Sequence, residues 1–357
     1  MKHGITMRGD SLYCPLPLSI EPYWWCEPNC PHCYFRGLNH IWGKEYRPID
    51  LPALRNKLKN GLKNNNPRTA MAHALAQKKT IRVGNKTDPF QPIESKLLRS
   101  TGALKILTEL EWSYVVQTRF PTRLNELALE SLLAGREAPI SATVLVMISP
   151  GWVSDWETLE RKQTDPIPQR IRQIKEWLRL GIAVGVNGEP FIPGYHTTKD
   201  FERTLRKLKE IGIKSYNTYN FHFTPHVAKR LAMEVPSMDI EKVWYSNQDR
   251  IWKPILAELL TIAKKYDMIL GCPDFVNSGP DYREKANTCC GISVPNPCLF
   301  NTHNFKRLAQ EGKNWKEIID IAWDGTGNLS EGEEIVKGTR NTDHYTLRDA
   351  GVLPNDN

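Results

Sequence analysis

The sequence has no apolar run near the roughly 18–20 residues that a membrane helix needs; its longest compact apolar stretch, Ala142 to Ile148, suits a buried strand. A membrane-spanning helix is therefore excluded. The opening residues, MKHGITMRGDSLYC, hold two early basic residues with no apolar segment behind them, so nothing there directs secretion. The expected compartment is a reducing, cytoplasmic one. Internal repeats and low-complexity tracts are missing too, and only Asn64 to Pro67 and the polar tail from about Gly325 read as soft. Acidic residues are absent between Asp50 and Asp88, while Arg55, Lys57, Lys59, Lys63, Arg68, Lys78, Lys79, Arg82 and Lys86 accumulate there.

What is present describes a globular chain. Its 357 residues are 40% hydrophobic and 25% charged, and 48 basic against 40 acidic residues leave a net charge of +8. That charge hints at a polyanionic partner. The length suits two domains, or one barrel of about 250 residues with insertions.

From residue 15 onward, short β-rich runs alternate with segments of helical period. Strands are expected at Leu16–Trp25, Thr80–Gly84, Ser113–Thr118, Ala142–Ser149, Ile182–Val186, Ser215–Phe221 and Met268–Leu270. Apolar stripes mark helices between them, for example Ile171, Ile174, Trp177 and Leu178, or Phe201, Leu205, Leu208 and Ile211. Gly181 and Gly212 stand where a helix-ending glycine belongs. The pattern predicts an α/β fold, a partial or full (β/α) barrel of about six parallel βα units over residues 14–270. A cysteine-containing C-terminal extension over residues 271–357 follows. In such barrels the site lies at the carboxyl ends of the strands. The polar residues Asn85, Asp88, Gln117, Arg119, Ser149, Asn187, Glu189, Asn220 and His222 all fall there.

Eight cysteines without a secretory segment suggest metal binding or catalysis rather than a disulfide framework. Cys26, Cys30 and Cys33 are spaced C-x3-C-x2-C, with Tyr34 following. Three thiolates on a compact loop can hold three corners of an iron–sulfur cluster and leave one iron open. A zinc knuckle completed by His32 is the structural alternative.

This motif resembles that of the radical SAM superfamily, although His32 stands where the commonest form has an aromatic. Three further stretches look like the spore photoproduct lyase group, also called DNA repair photolyase-like. They are Gly84 to Glu94, Leu159 to Pro166, and Gly181 to Val184 leading into Pro190 to Gly194. The likeness spans about residues 14 to 225. It implies that Cys26, Cys30 and Cys33 bind a [4Fe–4S] cluster, with S-adenosylmethionine on the open iron. It further implies that Asn85 and Asp88 approach the methionine part, Ser149 and Asn187 the ribose or carboxylate, and Tyr34 and Ile192 the adenine. Gly84, a glycine at a strand end, either lets the backbone approach a ligand closely or is an ordinary turn glycine. An external electron donor such as flavodoxin or ferredoxin is implied as a partner.

Cys272, Cys289, Cys290 and Cys298 lie beyond that likeness in a proline-rich segment. Their spacing suits a second, auxiliary Fe–S cluster; structural zinc, or buried thiols of which one donates a hydrogen atom, are the alternatives. The group's known chemistry implies a thymine-derived base in DNA as substrate. Arg119, His222, Cys289 and Cys290 are then the catalytic candidates, with one thiol among Cys272, Cys289, Cys290 and Cys298 as hydrogen donor. Modification or isomerisation of a hypermodified thymine, as in phage DNA, is expected ahead of lesion repair, because four cysteines exceed what repair requires. A radical enzyme on a peptide or small molecule stays open.

Overall fold

The computed structural model describes residues 2–7, 16, 18–35, 45–67, 70–151, 159–160, 164–221, 223–272 and 311–312. Eight strands form one sheet in sequence order: β1 (Ile5–Met7), β2 (Leu18–Ile20), β3 (Ile81–Val83), β4 (Tyr114–Thr118), β5 (Ala142–Met147), β6 (Ala183–Asn187), β7 (Ser215–Asn217) and β8 (Ile269–Gly271). β1 runs antiparallel to β2, and β2 to β8 are mutually parallel. No pairing among the described residues joins β8 back to β1, so the sheet is an open, partial barrel.

Each parallel step needs a crossover, and helices supply it. They are α1 (Leu51–Leu62), α2 (Ala70–Ala76), α3 (Glu94–Leu97), α4 (Arg99–Glu109), α5 (Pro121–Ala134), α6 (Ile167–Arg179), α7 (Thr198–Glu210), α8 (Pro225–Glu234), α9 (Ile240–Ser246) and α10 (Asp249–Lys265). The expected apolar stripes are the buried ones: Ile174 and Trp177 on α6, and Phe201, Leu205 and Leu208 on α7. Thr197 and Asp200 close a reciprocal capping box at the start of α7, worth about 1 kcal/mol. Gly181 and Gly212 end α6 and α7 at φ +75° and +94°, a left-handed conformation that suits glycine.

The strands alternate by face. Val144 and Val146 of β5 and Ile81 and Val83 of β3 join the main core, which Trp112, Trp177 and Trp252 fill. The intervening residues therefore point to the other side of the sheet, and Arg82 is among them. A second apolar cluster around Ile192, Phe221, Phe223, Val227, Leu231 and Val243 seats α8 and α9 beside the carboxyl ends of β6 and β7. No helix among the described residues is long and apolar enough to cross a membrane.

Two expectations change. The sheet begins before residue 14, because β1 adds an antiparallel edge strand. The long run Leu16–Trp25 contributes a strand only at Leu18–Ile20, after which the chain turns off the sheet into the cysteine loop.

Candidate active site

The carboxyl ends of β2 to β7 surround one cleft with a cavity volume of about 170 Å³, continuous with solvent. The cysteine loop after β2 brings Cys26, Cys30 and Cys33 to its wall, with Trp25, His32 and Tyr34. The loop after β3 adds Gly84, Asn85, Lys86 and Asp88. Gln117 and Arg119 arrive from β4, Met147 from β5, Glu189 and Pro190 from β6, and Tyr219, Asn220 and Phe221 from β7. Six strands separated by up to 200 residues thus converge on one space.

The cysteine loop is fastened to the loop after β3 by several bonds. The Glu27 backbone N–H donates to Gln91 Oε1 at 2.7 Å, and Gln91 Nε2 donates to the Trp25 carbonyl at 2.7 Å. Thr87 Oγ1 donates to the Tyr23 carbonyl at 2.9 Å, and the Asp88 N–H donates to Cys26 Sγ at 3.4 Å. Glu94, from the same segment, accepts from the backbone N–H groups of Arg99, Ser100 and Thr101 and from the Tyr23 hydroxyl. A carboxylate in that place caps α4 and stabilises its N-terminal turn.

Asp88 turns out to be committed to the protein. Its Oδ1 accepts from Phe90 N–H at 3.0 Å and Thr118 Oγ1 at 2.7 Å, and its Oδ2 from Arg119 N–H at 2.6 Å. Asn85 Oδ1 likewise accepts from the Arg82 guanidinium. Gly84 lines the cleft, but its own conformation explains it: φ is +81°, and a Cβ there would stand 2.3 Å from Pro89 Cδ.

Burial governs the electrostatics. It pushes the Cys26 thiol well up, with the Asp88 charge adding to the effect, and pushes Cys30 up to about 11. Both are neutral thiols at pH 7 until something exchanges for their protons. His32 is driven well down by burial and by the neighbouring Arg119 charge, and its Nδ1 is buried without a partner. Burial works against the Arg119 guanidinium, but Cys30, Glu160, Asp88 and Cys26 together raise it, and its Nε is a buried donor without a partner. A cation therefore stands among the thiols.

Among the described residues no three His, Cys, Asp or Glu side chains converge on a point that would hold one metal ion. Cys26, Cys30 and Cys33 all line the same cleft from one loop, and three such thiols are the donor type that three corners of an Fe–S cluster take.

The other expected residues sit away from the cleft wall. Ser149 is buried, its N–H on Glu160 Oε1 at 3.2 Å and its Oγ 3.4 Å from His196 Nε2. Asn187 accepts from the Glu189 N–H at 2.8 Å, and Ile192 packs in the second apolar cluster, its N–H on His196 Nδ1 at 2.9 Å. Cys272 is buried in the main core at the end of β8. His222, Cys289, Cys290 and Cys298 lie outside the described residues.

Sequence reading missed a buried support behind Cys30. Arg170 donates to Glu160 Oε2, to Thr164 Oγ1 at 2.8 Å and to the Asp165 carbonyl at 2.7 Å. The Cys30 thiol in turn approaches the Glu160 carbonyl at 4.0 Å. The stretch from Leu159 to Pro166 contained the signal, though not the partner on α6.

A point mutant of spore photoproduct lyase superposes with a TM-score of 0.56 at 12% identity, over 74% of this chain and 79% of that one. The fold is that of spore photoproduct lyase. Streptococcus suis SuiB, solved bound to S-adenosylmethionine, also matches, with a TM-score of 0.37 at 14% identity over 59% of this chain and 42% of SuiB. No protein-family model and no curated protein sequence matches the chain. Within the spore photoproduct lyase fold, the cysteine loop occupies the site end of the first parallel strand.

Proposed function

We propose that the chain is a radical S-adenosylmethionine enzyme acting on a thymine-derived base in DNA, modifying or isomerising a hypermodified thymine. One observation carries the radical reading: three cysteines of one loop open into one cleft at the carboxyl end of a parallel sheet with the spore photoproduct lyase fold. Cys26, Cys30 and Cys33 would hold the [4Fe–4S] cluster. Bound there with S-adenosylmethionine, it would supply the electron that releases methionine and a 5′-deoxyadenosyl radical, the electron itself coming from a flavodoxin or ferredoxin.

The chain's own residues account for the rest. Asp88 ties the cysteine loop to β4, and Arg119 sets a positive charge beside the thiols. Trp25, Tyr34, Pro190 and Phe221 offer apolar walls that keep water from a reactive carbon radical. Gln117, Arg119 and Asn220 border the space in which a C–H bond would be held within a few ångströms of that radical. A base inside a duplex reaches such a cleft only after extrusion from the stack. The preference for modification rests on Cys272, Cys289, Cys290 and Cys298, which exceed the single hydrogen donor that reversal needs. An auxiliary cluster on them would hold or oxidise the substrate.

The test offers the reconstituted enzyme hypermodified-thymine DNA beside spore photoproduct oligonucleotides, each labelled with deuterium at the candidate carbon. Transfer of label from the modified thymine into 5′-deoxyadenosine supports the proposal. Conversion of the photoproduct to two thymines, with the modified DNA unchanged, overturns the preference.

A second reading, a radical enzyme on a peptide or small molecule, is favoured by one observation. Of the basic residues between Asp50 and Asp88, Lys79, Arg82 and Lys86 are buried, and Arg55 and Lys78 pair with Glu109 and Glu111. That stretch is not a continuous phosphate-facing surface. Retention of the chain on DNA at moderate salt separates the two readings.

A further inference from the structure

The cysteine loop is held from its far side by a residue 200 positions away. Arg230, on α8, is 8% exposed. Its Nη2 donates to the Cys30 carbonyl at 2.9 Å, to Asn29 Oδ1 at 3.0 Å and to the Asn29 carbonyl at 3.3 Å. Its Nε faces Glu234 Oε1 at 3.4 Å, one turn along the same helix. Its Nη1 is buried without a partner. Asn29 has φ +53°, a left-handed conformation that costs energy for any residue but glycine and is least costly for asparagine and aspartate.

These facts form one device. The loop must turn sharply between Cys26 and Cys30 to present both thiols to one cleft, and Asn29 is where it does so. A left-handed residue persists only when its surroundings hold it. Here the guanidinium gathers the two carbonyls that follow the turn, those of Asn29 and Cys30, and the Asn29 side chain. We infer that Arg230 is a positioning residue for the cysteine loop, fixing the Asn29 turn so that the Cys30 thiol faces the cleft. α8 has the rigidity for this role, since Val227, Ala228 and Leu231 anchor it in the second apolar cluster.

The charge has a second consequence. A buried cation bonded to the carbonyls of the cysteine loop, and close enough to bear on His32, would offset part of the negative charge of a cluster held there, so its removal would make addition of an electron to that group less favourable. The inference rests on the cluster reading, but the turn itself can be tested without iron.

Arg230→Met and Arg230→Lys are compared with the parent as full chains. In the iron-free protein, alkylation of Cys30 by iodoacetamide, read by mass spectrometry, should be about tenfold faster in Arg230→Met, the factor that loss of a charged hydrogen bond implies. Arg230→Lys should restore part of the protection. In the reconstituted protein, Arg230→Met should lose its absorbance near 400 nm to a chelator several-fold faster, and its midpoint potential should be more negative, with Arg230→Lys between it and the parent. Parent-like alkylation in both variants, with only a lower urea midpoint, overturns the inference. So does a parent-like chelator rate and potential in Arg230→Met. If the parent itself takes up no iron, the cluster reading fails, and the alkylation rates still decide the role of Arg230. Should Arg230→Met not fold, Arg230→Lys with parent-like alkylation and potential refutes the need for the guanidinium geometry.

Discussion

Asp88→Asn separates a residue that touches bound S-adenosylmethionine from one that shapes the loop beside it. In the folded chain the carboxylate accepts three bonds, from Phe90 N–H, Thr118 Oγ1 and Arg119 N–H. An asparagine has one acceptor oxygen. If that oxygen keeps Phe90 and Thr118, the new NH2 group faces the Arg119 N–H at a position where the carboxylate accepts at 2.6 Å. Two donors then oppose each other in a buried space. One charge-assisted bond is lost and a buried N–H is left unmet, which together cost about 2–4 kcal/mol. That is a large part of a typical total of roughly 5–15 kcal/mol. The assay is urea unfolding of the reduced, cluster-free chain, followed by calorimetric titration of the reconstituted chain with S-adenosylmethionine. A lower urea midpoint is expected in the variant, together with easier cluster loss, because Asp88 also orients the N–H that reaches Cys26. Stability within about 0.5 kcal/mol of the parent, combined with weakened S-adenosylmethionine binding, would refute the reasoning and make Asp88 a ligand contact.

Four further outcomes follow from the same geometry. Cys30→Ala removes one of three anchors on one loop, so anaerobically reconstituted protein should lose the absorbance near 400 nm and cleave no S-adenosylmethionine while keeping its far-ultraviolet circular dichroism; undiminished cleavage would sink the cluster assignment. Replacing Cys272 and Cys298 together should leave about four irons per chain and preserve uncoupled cleavage; iron equal to that of the parent would give those thiols another task. Arg170→Met strands the buried Glu160 carboxylate and should lower stability by about 3–5 kcal/mol, measured by urea unfolding, whereas the double change with Glu160→Leu should recover much of that loss. Burial lowers His196 to about 4, so the unfolded chain binds a proton between pH 6.5 and 4 that the folded chain does not. Stability should therefore fall by about 2 kcal/mol from pH 7 to pH 5, and His196→Gln should flatten that slope; equal slopes in both proteins would show that another group is responsible.

Local pattern already specified a good deal of this protein. Of the parallel strands after the first, β3, β4, β5 and β7 fall inside the expected runs, and β6 and β8 run one residue past them, because a buried strand reads as a short apolar block whatever surrounds it. Gly181 and Gly212 were legible because a left-handed helix end is a demand of the backbone alone. The cysteine loop was legible because three cysteines lie within eight residues. Tertiary structure decided what depends on the faces of elements and on distant partners. The basic stretch before Asp88 looks like a surface in one dimension, but Arg82 lies on a three-residue strand whose neighbours face the core, so its charge goes inside the sheet. Ile192 looks like a cleft residue by its place after a strand, yet α8 and α9 pack over it. Asp88 and Gly84 stand at the cleft, but their roles follow from Thr118, Arg119 and Pro89, which no local spacing connects to them. Arg230 carries no sequence signal at all, because its partners are backbone carbonyls 200 residues away, and only folding brings a guanidinium to them.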